Sequence, residues 1–259
     1  MRLRRIILPL TLFLSPFILD AQEISIGSDQ DKPIEERILY NHQNTLQVTA
    51  NTQGFGLGFR SGTIHSIYKT TNWNFELSYL KSLKQIKLVN SYEYSSIPFV
   101  FGKLNEVVTL RGSYEVVKRL YGKPYWGGIE LQWLYGGGAS IALLKPYYYI
   151  VIVAQPTEGG EYEQVIERQT FNHNENWIEI MGKAAFKYGL NEIKIRPGIH
   201  AKTGLNFEFG ATKTRYQSIE IGAVAEYFPQ GIPLMAENPE QALFISLYIS
   251  YSWGSRFNK

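Results

Sequence analysis

Apolar and polar side chains alternate with a period of two along most of the chain. In residues 106–116, EVVTLRGSYEV, every even position from 108 onward is apolar or glycine, whereas Thr109, Arg111, Ser113 and Glu115 hold odd positions. The helical period of about 3.6 residues fits the apolar positions of this stretch less well than a period of two. Because successive side chains of a strand point to opposite faces, the pattern predicts a β-strand with one apolar and one charged face.

Similar segments recur and predict an all-β, antiparallel fold. In residues 45–60 the apolar positions change parity near Gly54, which we interpret as a β-bulge. Residues 147–153, YYYIVIV, are apolar on both parities. Residues 155–192 read as one long loop, with a short helix as an alternative for WIEIMGKAAFKYGL (177–190). The eight predicted strands are 45–60, 72–84, 105–118, 127–143, 147–154, 194–209, 216–228 and 242–254.

Alternation alone does not say which face is buried, because a soluble sandwich or lipocalin-like barrel turns its apolar face inward. Several predicted strands reach the roughly ten residues that a tilted strand needs to cross a bilayer. Aromatic residues on the apolar face gather near strand ends, where lipid headgroups favour them. We therefore predict an eight-stranded transmembrane barrel over residues 44–254 rather than a soluble barrel. Its aromatic girdle comprises Trp73, Tyr79, Trp133, Tyr135, Tyr227, Tyr251 and Trp253.

In a transmembrane barrel the charged face lines the lumen. An arginine on the lipid face would cost about 2–4 kcal/mol at the bilayer midplane. An eight-stranded barrel is only wide enough for its own side chains, so we expect a salt-bridged interior; the alternative is a narrow proton or ion path. The predicted lumenal polar network comprises Glu76, Arg111, Glu115, Glu130, Lys202, Glu208, Glu220 and Glu226, and Arg60 shares their parity.

The ends of the chain differ in composition from the strands. Residues 1–21 combine three arginines, a short apolar run and a small residue at Ala21, which predicts a cleaved signal peptide. Residues 22–43 form a polar leader, expected in the periplasm, and residues 255–259 form a short basic tail. The formal charge is +3, and removing residues 1–21 leaves 23 basic and 22 acidic residues. This balance gives no reason to expect nucleic acid.

The predicted signal peptide, the amphipathic strands and the last strand, LFISLYISYSWG, resemble small outer-membrane β-barrel proteins of Gram-negative bacteria. The stretches IPFVFGKLN and GLNFEFG resemble uncharacterised Bacteroidota members of that group. The resemblance implies an integral outer-membrane protein surrounded by outer-membrane lipid. It also implies that Tyr251 and Trp253 are read by the barrel assembly machinery during insertion.

The sequence carries no catalytic motif. Some outer-membrane barrels modify lipids with serine and histidine, and the best candidates for such a role are His200 and His65. No serine lies at a motif spacing from either, so we predict no enzyme and no catalytic residue. Four scattered histidines without cysteine predict no metal site, and nothing indicates a cofactor.

An even number of strands predicts that both termini lie in the periplasm. This places 61–71, 119–126, 155–193 and 229–241 outside the cell, and 85–104, 144–147 and 210–215 in the periplasm. The long connections 85–104 and 155–192 would then offer one surface on each side of the membrane. We expect a structural or accessory role in an envelope assembly, secretion or export complex. The alternatives are a lipid-modifying enzyme of the acyltransferase, deacylase or phospholipase type, or a narrow channel.

Overall fold

The structure, a computed structural model, describes residues 40–91, 96–123, 128–156, 162–171, 177–210, 212 and 214–258. These residues form antiparallel β-strands with two short 3-10 turns, so the all-β prediction is confirmed. No helix in this part of the chain is long and apolar enough to span a membrane. The predicted signal peptide and the predicted leader up to residue 39 lie outside the described residues.

The strands fall into a barrel and two small sheets. The barrel strands are β1 (His42–Asn51), β2 (Gly54–Ser66), β3 (Lys69–Leu80), β6 (Asn105–Tyr121), β7 (Glu130–Pro146), β11 (Lys194–Glu208), β12 (Arg215–Ile232) and β13 (Gln241–Phe257). The others are β4 (Lys87–Leu88), β5 (Phe99–Val100), β8 (Tyr148–Pro156), β9 (Tyr162–Thr170) and β10 (Ile180–Lys183).

The eight long strands hydrogen-bond in the closed order β1-β13-β12-β11-β7-β6-β3-β2, and β2 pairs back with β1. Every neighbouring pair is antiparallel. The ring closes between the first and last strands, where His42 lies opposite Phe257 and Asn51 opposite Tyr248. Closure removes the free sheet edges that an open sheet would expose.

The barrel has two unlike ends. We call the end that holds His42 and Phe257 the terminal end, and its turns are short: 67–68, 122–129 and 209–214. We call the opposite end the loop end, and it carries the turn at 52–53 and the connections 81–104, 147–193 and 233–240. Both long connections therefore lie at one end of the barrel.

The barrel is apolar outside and polar inside. Along β13, Leu243, Leu247 and Tyr251 are exposed, whereas Ser246 and Ser250 are buried. The same reversal occurs on β3, where outward apolar side chains alternate with buried asparagine, glutamate and serine. A water-soluble barrel shows the opposite arrangement.

Two predicted strands are wrong. Residues 45–60 are not one bulged strand: the chain reverses at 52–53, and β1 and β2 pair as a hairpin. Residues 147–154 belong to β8, which pairs with β9 and β10 in a separate three-stranded sheet. One predicted strand is therefore two, and another lies outside the barrel.

These errors displaced the predicted connections. Counting 45–60 as one strand put 61–71, 85–104, 119–126 and 144–147 on the wrong side relative to the termini. Counting 147–154 as a barrel strand restored the alternation, so 155–193, 210–215 and 229–241 lie on the predicted sides relative to the termini. The predicted basic tail also begins inside the barrel wall, because β13 continues to Phe257.

At the loop end the two long connections pack together. We call the described parts of 81–104 and 147–193, which contain β4, β5, β8, β9 and β10, the cap. Its apolar core contains Phe99, Tyr149 and Ile180. Backbone bonds join the two connections, since the amide of Ile97 donates to the carbonyl of Met181 at 3.0 Å. The cap is therefore formed by both connections together.

Candidate functional site: the polar interior and the loop end

The centre of the barrel interior holds a group of buried charges around Arg60, which is 1% exposed. Arg60 donates to Glu220 at 3.1 Å and lies 2.9 Å from Glu115, a contact that is an ion pair without hydrogen-bond alignment. Lys202 lies 3.0 Å from Glu220, and the hydroxyl of Tyr248 donates to the same carboxylate at 2.6 Å. These contacts join five strands, β2, β6, β11, β12 and β13, across the lumen.

A second group lies around Arg111. Its Nη1 donates to Glu76 at 2.8 Å, and its Nε and Nη2 donate to the two oxygens of Glu226 at 2.9 and 2.6 Å. Asn74 extends the Arg60 group, because its amide donates to Glu115 at 2.7 Å and its side-chain oxygen accepts from Gln47 at 3.0 Å. Buried charges are tolerated where each has such partners.

Towards the terminal end the interior stays charged but is more open. Glu208 accepts hydrogen bonds from Arg256 at 2.6 Å and from Lys123 at 3.3 Å. Glu130 accepts one from Arg119 at 2.6 Å. The structure thus places all eight residues of the predicted lumenal network in ion pairs. Their partners Lys123 and Arg256 were missed because the sequence assigned them to a turn and to the tail.

The interior becomes apolar towards the loop end, which the sequence analysis did not anticipate. Residues 233–236 fold across this mouth, since the carbonyl of Leu234 accepts from the amide of Leu104 at 3.0 Å. Phe228 and Phe244 contact each other edge to face beneath them. The apolar seal comprises Leu80, Val107, Ala142, Leu144, Phe228, Ile232, Leu234 and Phe244.

The structure brings a serine and a histidine together inside the barrel. Ser140 Oγ lies 2.9 Å from His200 Nδ1 and donates to Glu226 at 3.2 Å. The hydroxyl therefore stands between imidazole and carboxylate, whereas a hydrolase triad places the imidazole in the middle. The adjoining cavity measures about 10 Å³, room for a single water.

His65 is the other histidine that the sequence singled out. It lies near the terminal end of β2, and its Nε2 is 2.7 Å from the hydroxyl of Thr71. It does not join the Ser140–His200 pair. Within the described ranges, no cluster of histidine, aspartate or glutamate has the composition of a metal site.

Most girdle residues lie outside the barrel near the terminal end. Trp73 contacts Tyr114 with ring centroids 5.3 Å apart, and Tyr251 stacks on Trp253 at 5.7 Å. Trp133 and Tyr135 also lie near that end. Tyr79 and Tyr227 lie near the loop end. The outward aromatic residues thus occupy both ends of the apolar band.

A lysine cluster covers the outer wall at the loop end. Glu106 accepts hydrogen bonds from Lys145 at 3.1 Å and Lys183 at 2.6 Å. Lys103, which is 4% exposed, donates to the hydroxyl of Tyr79 at 3.0 Å. Burial, reinforced by nearby lysines and opposed by Glu106, lowers the pKa of Lys103 to about 8. No pattern along the chain indicates this cluster, because its members lie on separate elements.

No protein-family model matches the chain, and no curated protein matches it. Three solved barrels superpose on it loosely. Neisserial surface protein A shares 8% identity at a TM-score of 0.39, with 84% of this chain and 97% of that one covered. The N-terminal β-barrel domain of Pseudomonas aeruginosa OprF shares 6% at 0.35, covering 83% and 97%. Ail, the attachment invasion locus protein of Yersinia pestis, shares 10% at 0.36, covering 85% and 100%. Superpositions this loose carry no functional information.

Proposed function

We propose that the chain is an integral outer-membrane β-barrel with a structural or accessory role, presenting its cap to other envelope proteins. The observation that carries the proposal is the reversed distribution of side chains. Arginine, lysine and glutamate are buried in the interior, while large apolar side chains are exposed around the outside. Lipid is the solvent that suits such a surface, because a closed barrel leaves no backbone group unpaired within the bilayer.

The exposed apolar surface is too extensive for a protein in water. Outward residues such as Phe55 on β2, Phe75 on β3 and Ile245 on β13 are each more than half exposed. Soluble monomers rarely expose contiguous apolar patches beyond roughly 300–600 Å². The aromatic residues at both ends of the band fit the two headgroup regions.

A filled interior favours a structural role over transport. The ion-paired groups occupy the middle of the lumen, and the apolar seal closes the loop end. The cavity that His200 lines measures about 10 Å³, which is too small for an acyl chain. A narrow channel and a lumenal lipid-modifying enzyme are therefore less well supported than an accessory subunit.

The cap is the part best suited to contact a protein partner. It is a folded body with its own core, and it exposes Ile97, Ile166, Ile178 and Phe186. Exposed apolar residues on a rigid surface are typical of protein interaction sites. Short turns at the terminal end offer much less surface.

Site-specific photocrosslinking in cells tests this role. A photoreactive residue replacing Ile178 should form a discrete adduct with another envelope protein, and the same residue replacing Tyr68 in a terminal-end turn should not. Adducts from neither position, or equally from both, would contradict docking through the cap. The orientation is tested separately in the cysteine-free chain with a membrane-impermeant maleimide. Lys187→Cys in the cap should label on intact cells, and Tyr68→Cys only after permeabilisation.

A further inference from the structure

We infer that the lysine cluster on the outer wall of the loop end binds the phosphate of a lipid headgroup. The inference rests on the proposed membrane location. It depends on where the lysines stand relative to the apolar band, on their charge balance and on the hydrogen-bond donors around them.

The cluster stands at the boundary of the apolar band. Tyr79 continues the outward row of β3 after Phe75 and Leu77, and its ring lies 5.8 Å from that of the exposed Phe55. One residue later β3 ends, and Lys81 follows. In a bilayer this is the level at which acyl chains give way to headgroups, so lysines here meet lipid phosphates.

Within the part of the chain that the structure describes, acidic groups do not balance the charge of the cluster. Glu106 is shared by Lys145 and Lys183. Lys81 and Lys87 are exposed and, like Lys183, lie within electrostatic range of the Tyr79 hydroxyl. Among the described residues, five lysines of this wall face a single ion-paired carboxylate. The excess positive charge calls for an anion.

Lys103 supplies a buried donor at the centre. Its Nζ donates to Tyr79 and lies 5.2 Å from the ring centroid of Tyr147, but no carboxylate in the described ranges forms an ion pair with it. Its backbone is fixed, since its amide donates to the hydroxyl of Tyr149 at 2.8 Å. A phosphate oxygen reaching Lys103 would supply the counter-charge that no described carboxylate provides.

The surrounding surface suits the lipid that carries the phosphate. The segment after Lys81 exposes Leu83 between Lys81 and Lys84, and Ile86 between Lys84 and Lys87. Apolar side chains interleaved with lysines are the composition that lies in a membrane interface. This favours a phosphate attached to acyl chains over a soluble anion.

Native mass spectrometry of the folded protein, released from detergent after bilayer insertion has been established, tests the inference. The probes are dioleoyl phosphatidic acid, dioleoylglycerol with the same chains, and inorganic phosphate. Phosphatidic acid should bind at least tenfold more tightly than dioleoylglycerol, and equimolar inorganic phosphate should not displace it. The double variant Lys81→Gln/Lys87→Gln should bind phosphatidic acid more weakly by on the order of tenfold.

The control is Lys69→Gln/Lys118→Gln, a cross-strand lysine pair at the terminal end, which should bind as the unmodified protein does. A separate variant, Lys103→Met, should also lose affinity while keeping the electrophoretic mobility of the folded barrel. Equal binding of dioleoylglycerol, displacement by inorganic phosphate, or full affinity in Lys81→Gln/Lys87→Gln would overturn the inference. A protein that never inserts into bilayers would instead overturn the proposed function.

Discussion

Arg111 and Glu226 form a two-bond ion pair across the barrel interior, with contacts of 2.9 and 2.6 Å. They lie on β6 and β12, which are separated in the ring by β7 and β11. The pair therefore joins strands that share no backbone hydrogen bonds. It shows how a chain with a polar core can be held rigid from within.

Replacing Arg111 by methionine should destabilise the barrel strongly. The change would leave Glu76 and Glu226 buried without their cation, and breaking a buried pair in this way costs about 3–5 kcal/mol. Arg119→Gln removes a more exposed pair with Glu130 and should cost about 1 kcal/mol or less. Urea unfolding in lipid vesicles measures both variants. Equal losses of unfolding free energy in the two variants would mean that the interior ion pairs of Arg111 stabilise the barrel no more than the exposed pair does.

Gly58 should be replaceable only if Gln47 is made smaller. A Cβ at position 58 would lie 2.4 to 2.9 Å from three atoms of the Gln47 side chain. Gly58→Ala should therefore cost about 1–3 kcal/mol as overpacking. Gln47→Ala removes the clash, so the double variant should lose less than the sum of the single variants. Additive losses in the same unfolding assay would contradict the close approach.

The purified protein should not conduct ions. The interior is filled by the groups around Arg60 and Arg111, and Phe228 and Phe244 contribute to the apolar seal at the loop end. Planar bilayer recordings should show no discrete conductance steps. Reproducible conductance steps that disappear when the Arg111 group is altered would support the narrow channel instead.

The stability of the loop end should depend on pH through Lys103. Its pKa falls from an ordinary 10.5 to about 8 in the folded protein. Between these values the unfolded chain binds more protons, so the free energy of unfolding should rise as pH increases from about 8 towards 10. The neighbouring Tyr147, whose burial raises its pKa to about 12, opposes this rise only above pH 10.

Lys103→Met should flatten that rise in phosphate-free detergent. The difference between the two proteins should be on the order of 2 kcal/mol across the window. Unfolding followed at several pH values measures it. A rise of the same size in Lys103→Met would assign the pH dependence to another group.

The two-residue period of apolar positions predicted which side chains of most barrel strands face the interior. It placed Arg111, Glu115 and Glu220 on one face of their strands, and the structure buries all three. It failed at 45–60 because a bulge and a two-residue hairpin turn both change the parity of the apolar positions. Only pairing between β1 and β2 distinguishes them.

Other failures have a different physical origin. β8 is the central strand of the cap sheet, where Tyr149 and Val151 pack in a core and Ile150 is also partly covered. Such a strand shows no alternation, so its sequence does not distinguish it from a barrel strand. The lysine cluster could not be predicted from the sequence for another reason. Lys103, Lys145 and Lys183 come together only when the cap packs against the barrel wall.

The exposure of the outer wall to lipid can be measured at adjacent residues of one strand. Leu247 is 64% exposed and Ser246 is 4% exposed, and the chain has no native cysteine. Leu247→Cys and Ser246→Cys would each carry a bimane fluorophore in vesicles containing brominated lipids. Strong quenching at position 247 and little at 246, repeated at Ile249 and Ser250, is the expected result. Equal quenching at both parities, or stronger quenching at the serine positions, would contradict a lipid-embedded barrel with a polar interior.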